Sequence, residues 1–226
     1  SSILPCLDTL VQGDLGTMTP EQIRFVQMAR RAGQEMLMLI QNLLDVAKME
    51  EGKMTLHPEP FLPLDWAHSV IQSFRPLAEA SRKRLSLFVA ETLPTASGDI
   101  GLLSRVLGNL ISNALRHTQP DAGEVIVSVF QDGNQLAVEV RDNGEGIPAE
   151  DQQRIFEKFV QADGQRTRVR FGSGLGLTFC KMVMDAHGGR ISVFSVPNEG
   201  SLFTVHLPLP VSEQAVAPAI AEPLPS

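Results

Sequence analysis

The spacing of apolar residues changes along the chain from three and four to two. Val26, Ala29, Met36, Ile40, Leu43 and Ala47 recur at intervals of three, four or seven, forming one apolar stripe on a predicted helix. Its start is marked by "TPEQ": Thr19 as N-cap, Pro20 in the first helical position, and Gln22 placed to close a capping box. It is expected to end near Gly52, after about 30 residues, beyond the usual globular range. Before it, Ser1 to Val11 reads as the tail of another helix and "GDLG" (Gly13 to Gly16) as a turn. Two amphipathic helices bury little by themselves, so this hairpin is expected to dimerise into a four-helix bundle. The other arrangement lays it against the rest of the chain.

After the proline-rich connector "HPEPFLP" the texture becomes mixed. Helix-like "LDWAHSVIQSF" leads to alternating "RLSLFVAE" and then to the helical "DIGLLSRVLGNLISNALRH". "EVIVSVFQ" and "LAVEVRD" alternate on either side of the hairpin signal "DGNQ". A polar stretch from about Gln161 to Gly172 has the composition of a mobile loop. A glycine-rich motif then opens another helix, and "GGRISVFSV" and "SLFTVHLPL" end the patterned region around "PNEG". Strands in one group and helices in another predict an α+β two-layer sandwich preceded by the helical hairpin. The expected organisation is residues 1–54 for the hairpin, 55–210 for the sandwich, and 211–226, "VSEQAVAPAIAEPLPS", as an Ala/Pro-rich linker or disordered tail.

Composition narrows this picture. The 226 residues suffice for one large domain with an appendage, and the absence of Met at position 1 suggests a piece of something longer. With 19 Lys+Arg against 26 Asp+Glu the net charge is −7, which argues against a phosphate-coating nucleic-acid binder. No stretch has the length and apolarity of a membrane span or a leader, so no membrane contact is expected of these residues. Cys6 and Cys180, far apart among apolar neighbours, read as buried reduced thiols of a cytoplasmic protein.

"GSGLGL" (Gly172 to Leu177) is a candidate phosphate cradle, because glycines at a helix entrance let backbone N–H groups and the helix dipole surround an anion. A glycine-rich turn used only for tight packing would look the same. No Walker A lysine follows, and the neighbouring strands read as antiparallel, which excludes a Rossmann unit. "NLISNALRH" puts Asn109 and Asn113 one helical turn apart, with Arg116 and His117 beyond. Asn oxygens suit Mg²⁺ carrying phosphates and Arg suits a phosphate, although such Asn residues are as often simply solvated. "DNGEGIP" ends a strand with Asp142, whose carboxylate could accept from an adenine amino group while Gly144 and Gly146 let a flat base approach; "DNG" is also an ordinary turn. "IFEKF" offers Phe156 and Phe159 as anchors of a hinge or as core.

The order N-x-x-x-N, D-x-G-x-G, F-x-x-F, G-x-G-x-G resembles the nucleotide-site boxes of the histidine protein kinases of two-component signalling. It is carried by "LGNLISNALRHT", "RDNGEGIP", "FEKFVQ" and "GSGLGL", and the likeness covers about residues 55 to 209. The hairpin's "LIQNLLDVAKMEEGKMTLHPEPF" is similar to the second half of that family's dimerisation and phosphoacceptor domain. The resemblance implies a Bergerat-type ATP-binding fold. Asn113, helped by Asn109, would bind Mg²⁺; Arg116 would meet phosphates, and His117 would lie near the ribose or base. Asp142 would read adenine beside Gly144 and Gly146, with Ser201 of "GSLF" completing that contact. Phe156 and Phe159 would anchor a lid, and Gly172, Gly174, Leu175 and Gly176 would line the triphosphate. Arg166, Arg168 or Arg170 of the lid would reach the γ-phosphate, or form a solvated loop.

In this family the γ-phosphoryl group of ATP passes to a histidine of the homodimer's bundle and then to a response regulator receiver domain. The acceptor's H-D/E-x-R-x-P type box has no counterpart here: His57, His68, His117, His187 and His206 all stand in other contexts. "SSILPCLDTL" resembles the stretch immediately after that box, so the chain is expected to start just past it and to be unable to label itself. Two alternatives stand beside this reading. One is an ATPase or serine kinase of the same superfamily, disfavoured because those relatives commonly place a Glu base where Asn109 stands. The other is a degenerate, nucleotide-gated scaffold that works by docking a partner.

Overall fold

A computed structural model describes residues 3–12, 16–158, 160 and 174–210. Helix α1 (Ile3–Gln12) packs on the long helix α2 (Pro20–Glu50). Their pairing is held by the Arg30 Nε to Asp8 Oδ1 ion pair at 2.5 Å and by Leu4 seated against Gly33. The expected capping box is present. Gln22 N–H donates to Thr19 Oγ1 at 3.3 Å and Thr19 N–H donates to Gln22 Oε1 at 2.8 Å, which satisfies two orphan donors of the first turn. At 31 residues α2 is about 46 Å long.

The rest forms two layers. Helices α3 (Pro63–Ala80), α4 (Ile100–His117) and α5 (Gly176–Ala186) lie on one face of a sheet of β2 (Arg84–Val89), β4 (Glu124–Asp132), β5 (Gln135–Asp142), β6 (Arg190–Val196) and β7 (Gly200–Pro208). Among the described residues the strand order is β2-β4-β5-β7-β6. Alternation puts Val125, Val127, Val129, Val138, Val140, Phe203 and Val205 on the inner face. There they meet Ile71, Leu107, Leu110, Ile111, Phe179 and Met184 from the helices. This is the α+β two-layer architecture the sequence predicts.

Two features go beyond the expected antiparallel pattern. The strands flanking the glycine motif are antiparallel as read, but β2 pairs with β4 in parallel, Leu85 opposite Val125. Some 34 residues, including α4, pass between these strands, as a parallel connection requires. The connector "HPEPFLP" supplies the short strand β1 (Glu59–Phe61), paired with β3 (Ala96–Gly98) at the edge of the domain.

The hairpin is both docked and open. The C-terminal part of α2 packs its Asn42, Asp45 and Val46 face inward and contacts α5. The apolar stripe points the other way: Met36, Ile40 and Leu43 are exposed, as are Leu37 and Leu44 beside them. Cys180 is buried as expected, whereas Cys6 is exposed: α1 packs on α2 among the described residues, and Cys6 lies off that contact. Among the described residues no helix is long and apolar enough to cross a membrane.

Candidate functional site

The site is built around the second half of α4. Asp99 caps this helix, its Oδ1 accepting Leu102 N–H at 3.1 Å and its Oδ2 accepting His57 N–H at 3.2 Å. Leu103, Val106, Leu107, Leu110 and Ile111 turn into the core, which leaves Asn109 and Asn113 together on a half-buried face. Asn109 lies against the start of α5: a Cβ at Gly176 would sit 3.8 Å from its Oδ1. The Asn109 Nδ2 is buried without a hydrogen-bond partner among the described residues. Beside it, burial pushes the Cys180 thiol up to about 12, opposed weakly by the nearby Asn109 amide and the Arg105 charge, so this thiol is a packing group and not a nucleophile.

Gly174 turns the chain at φ 65°, Leu175 is buried, and Gly176 begins α5. The positive end of this helix therefore lies beside the Asn109 amide. The single 3₁₀ turn Arg154–Phe156 packs on α5, with Phe156 half-buried against the core.

Asp142 ends β5 and is buried, opposite Ser201 of β7. Burial raises its pKa above the ordinary carboxylate value, against the smaller opposing effects of the Gly144 and Ser201 backbone N–H groups and the His117 charge. Gly144 N–H donates to its Oδ1 at 2.8 Å. A Cβ on Gly144 would lie 2.5 Å from His117 O and 2.8 Å from Asp142 Oδ1, so only glycine fits between the end of α4 and the carboxylate. Gly146, at φ 68°, takes the left-handed conformation that passes the loop tightly under Val196. The loop is joined to α4 by Glu145 N–H to His117 O at 3.3 Å and His117 Nδ1 to Glu145 Oε1 at 2.6 Å.

The fold thus brings together Asn109 with Leu175 and Gly176, and His117 with Gly144, Asp142 and Ser201. Asn113 and Arg116 lie on the stretch of α4 between these two groups. Phe159, Gly172, Arg166, Arg168 and Arg170 fall outside the described residues. Several supporting residues carry no sequence signal. Ser195 Oγ accepts Ile147 N–H at 2.8 Å, contacts Ser201 Oγ at 3.1 Å and donates to Gly200 O at 2.7 Å. Gln152 Nε2 spans Ile147 O and Ser195 O at 3.0 and 2.7 Å. A strand serine and a loop glutamine look ordinary until β6 brings them to this loop. Asn109 and Asn113 carry amide oxygens of the kind a hard cation takes; no three His, Cys, Asp or Glu side chains form a metal-binding group among the described residues.

Residues 98–211 match the family model described as histidine kinase-, DNA gyrase B- and HSP90-like ATPase. The chain is 34% identical over 219 residues to the circadian input-output histidine kinase CikA of Thermosynechococcus vestitus, covering 96% of this chain and 28% of that protein. It is 35% identical over 187 residues to the sensor histidine kinase RcsC of Escherichia coli, covering 82% of this chain and 20% of that one. With the alginate biosynthesis sensor protein KinB of Pseudomonas aeruginosa it shares 36% over 193 residues, 84% of this chain and 32% of that protein. It therefore spans a third or less of the length of each of these relatives. Among solved structures, full-length ShkA in complex with AMPPNP superposes with a TM-score of 0.72 at 27% identity, over 92% of this chain and 43% of that one.

Proposed function

The chain belongs to the histidine kinase-, DNA gyrase B- and HSP90-like ATPases, as a sensor histidine kinase catalytic region, and from that premise we propose that it binds Mg·ATP for phosphoryl transfer to a histidine. The acceptor is a histidine of the dimeric helical bundle, and a response regulator receiver domain takes the group from there. The functional units are residues 1–54 as part of the bundle, 55–210 as the nucleotide-binding domain and 211–226 as a linker, all working in the cytoplasm.

One observation carries this reading. A buried carboxylate, Asp142, stands at a strand end beside a wall too close for a Cβ, and is hydrogen-bonded through its loop to the helix that bears Asn109, Asn113, Arg116 and His117. Such a carboxylate suits an exocyclic amine, and the flat approach over Gly144 and Gly146 suits a purine. The orphaned Asn109 amide nitrogen is the donor that a phosphate oxygen would satisfy, and its oxygen, with that of Asn113, is a hard ligand for magnesium. Magnesium would supply charge neutralisation for the phosphates. Arg116 adds a cation, and Gly174, Leu175 and Gly176 present the positive end of α5.

In the transfer the bond between the γ-phosphorus and the β–γ bridging oxygen breaks while a bond to an imidazole nitrogen forms, and ADP leaves. A neutral imidazole needs no base to attack, which agrees with an amide, not a carboxylate, at position 109. His187 is committed to structure: its Nδ1 donates to Val183 O at 2.8 Å and its Nε2 accepts Asp99 N–H at 3.0 Å.

Calorimetry with ADP and ATP tests the site. Binding in the presence of Mg²⁺ should weaken roughly tenfold or more on Asn113→Ala, with a much smaller change in its absence. A folded chain that takes up neither nucleotide would sink the proposal.

A further inference from the structure

Lys83 lies in the turn between α3 and β2, far in sequence from every residue of the site. Its Nζ donates to Leu115 O and, at 2.7 Å, to Thr118 O, at the carbonyl end of α4. Helix C-termini leave such carbonyls without N–H partners, and a cation there also opposes the negative end of the dipole. Burial lowers the Lys83 pKa below the usual lysine value. The surroundings are shaped to admit the side chain: a Cβ on Gly123 would lie 3.0 Å from Lys83 Cγ and 2.6 Å from Gln119 O. Two backbone hydrogen bonds, Asp121 N–H to Arg82 O at 3.1 Å and Arg84 N–H to Gly123 O at 2.9 Å, tie the segment after α4 to the same turn.

The turn of helix held by Lys83 is the one that carries Arg116 and His117, and the Asp142 loop leans on its other side through Glu145 and Gly144. We propose that Lys83 is a positioning residue for the nucleotide: it touches no part of the ligand, and it fixes the last turn of α4 so that Arg116 and His117 meet phosphate and ribose while the adenine loop keeps its seat. The proposal rests on the nucleotide-binding reading above.

The test is a double-mutant cycle read by ADP calorimetry in Mg²⁺, with denaturant unfolding of each variant alongside. Lys83→Met should weaken ADP about three- to thirtyfold, the range of a charged group capping a helix end. In an Arg116→Ala/His117→Ala background the same change should cost clearly less than in the parent, because two of the groups it positions are gone and only the backbone seat of the adenine loop remains. A side chain that served only global stability would lower the unfolding midpoint and leave the affinity of the folded protein as it was. If Lys83→Met does not fold, Lys83→Arg keeps a cation at the helix end and should bind ADP within about threefold of the parent. Equal losses in both backgrounds, unchanged binding by Lys83→Met, or an Arg variant that folds but binds as weakly as the double-alanine chain would each overturn the role of Lys83. Absence of ADP binding by the parent chain itself would remove the nucleotide reading, and the role with it.

Discussion

Asp142 is a side chain costly to the fold that, in the role proposed above, reads the nucleotide base. Because burial raises its native pKa above the unfolded value, the folded chain holds more protons between those two values. Its contribution to stability is therefore fully present below the unfolded pKa and lost as pH rises through the native one; at neutral pH the buried carboxylate counts against folding. Asp142→Asn should accordingly leave the unfolding midpoint of the nucleotide-free protein equal to or above the parent at pH 7, and this gain should shrink as pH falls through the window. The same change should weaken nucleotide binding about ten- to a hundredfold, the loss of one charge-assisted hydrogen bond. A destabilisation of the same size at every pH would contradict the assignment. Asp142 was legible in the sequence because "DNGEG" closes an alternating run. Ser195 and Gln152 were not, since the contacts that bind β6 to this loop, Ser195 to Ile147 and Gln152 to Ser195, join residues 48 and 43 positions apart and no local pattern announces them.

At the level of elements, local signals were readable and pairing was not. The capping box of α2 and the turns at "DGNQ" and "PNEG" depend on neighbours a few residues away, and all are present. The parallel register of β2 on β4 leaves no trace in alternation, and β1 and β3 are too short to show any. The inward face of α2 was hidden for a related reason: it carries the polar Asn42 and Asp45, which no apolar spacing marks, and both are buried. Arg105 Nη1 donates to Asp45 Oδ2 at 2.5 Å and Nη2 to Asn42 Oδ1 at 2.9 Å, with the guanidinium 4.2 Å from the centroid of the Phe179 ring. Arg105 lies one turn before Asn109, and Phe179 one turn after Gly176, so this clasp grips both helices of the site. Arg105→Ala strands a buried carboxylate and should cost about 2–4 kcal/mol in denaturant unfolding. Pairing Asp45→Asn with Arg105→Met should cost clearly less, because no charge is left behind. A single substitution no worse than the pair would show the clasp to be a surface contact.

For the whole molecule, the longest run of exposed apolar side chains among the described residues lies on one side of α2. Met36, Leu37, Ile40, Leu43 and Leu44 are 42–63% exposed and recur at the three-and-four spacing of a helical seam. In the dimeric arrangement proposed above, these residues are the ones a second hairpin covers. Light scattering should give twice the chain mass for the parent protein and the single mass for Ile40→Glu/Leu44→Glu, with nucleotide binding retained in both. A parent protein that is monomeric at tens of micromolar would count against the bundle. That spacing was the clearest long-range message of the sequence; which side of the helix faces the catalytic layer was decided by Arg105, 60 residues away.

The order of the sheet also bears on how the protein comes into being. β7, the last strand among the described residues, lies between β5 and β6 and sets Ser201 opposite Asp142. A chain lacking β7 would keep Asn109 and Asn113 on α4 but leave Asp142 without the Ser201 that stands opposite it. On the nucleotide-binding reading proposed above, the base site is therefore complete only once β7 has docked between β5 and β6, so a copy cut short before that strand should not bind ATP.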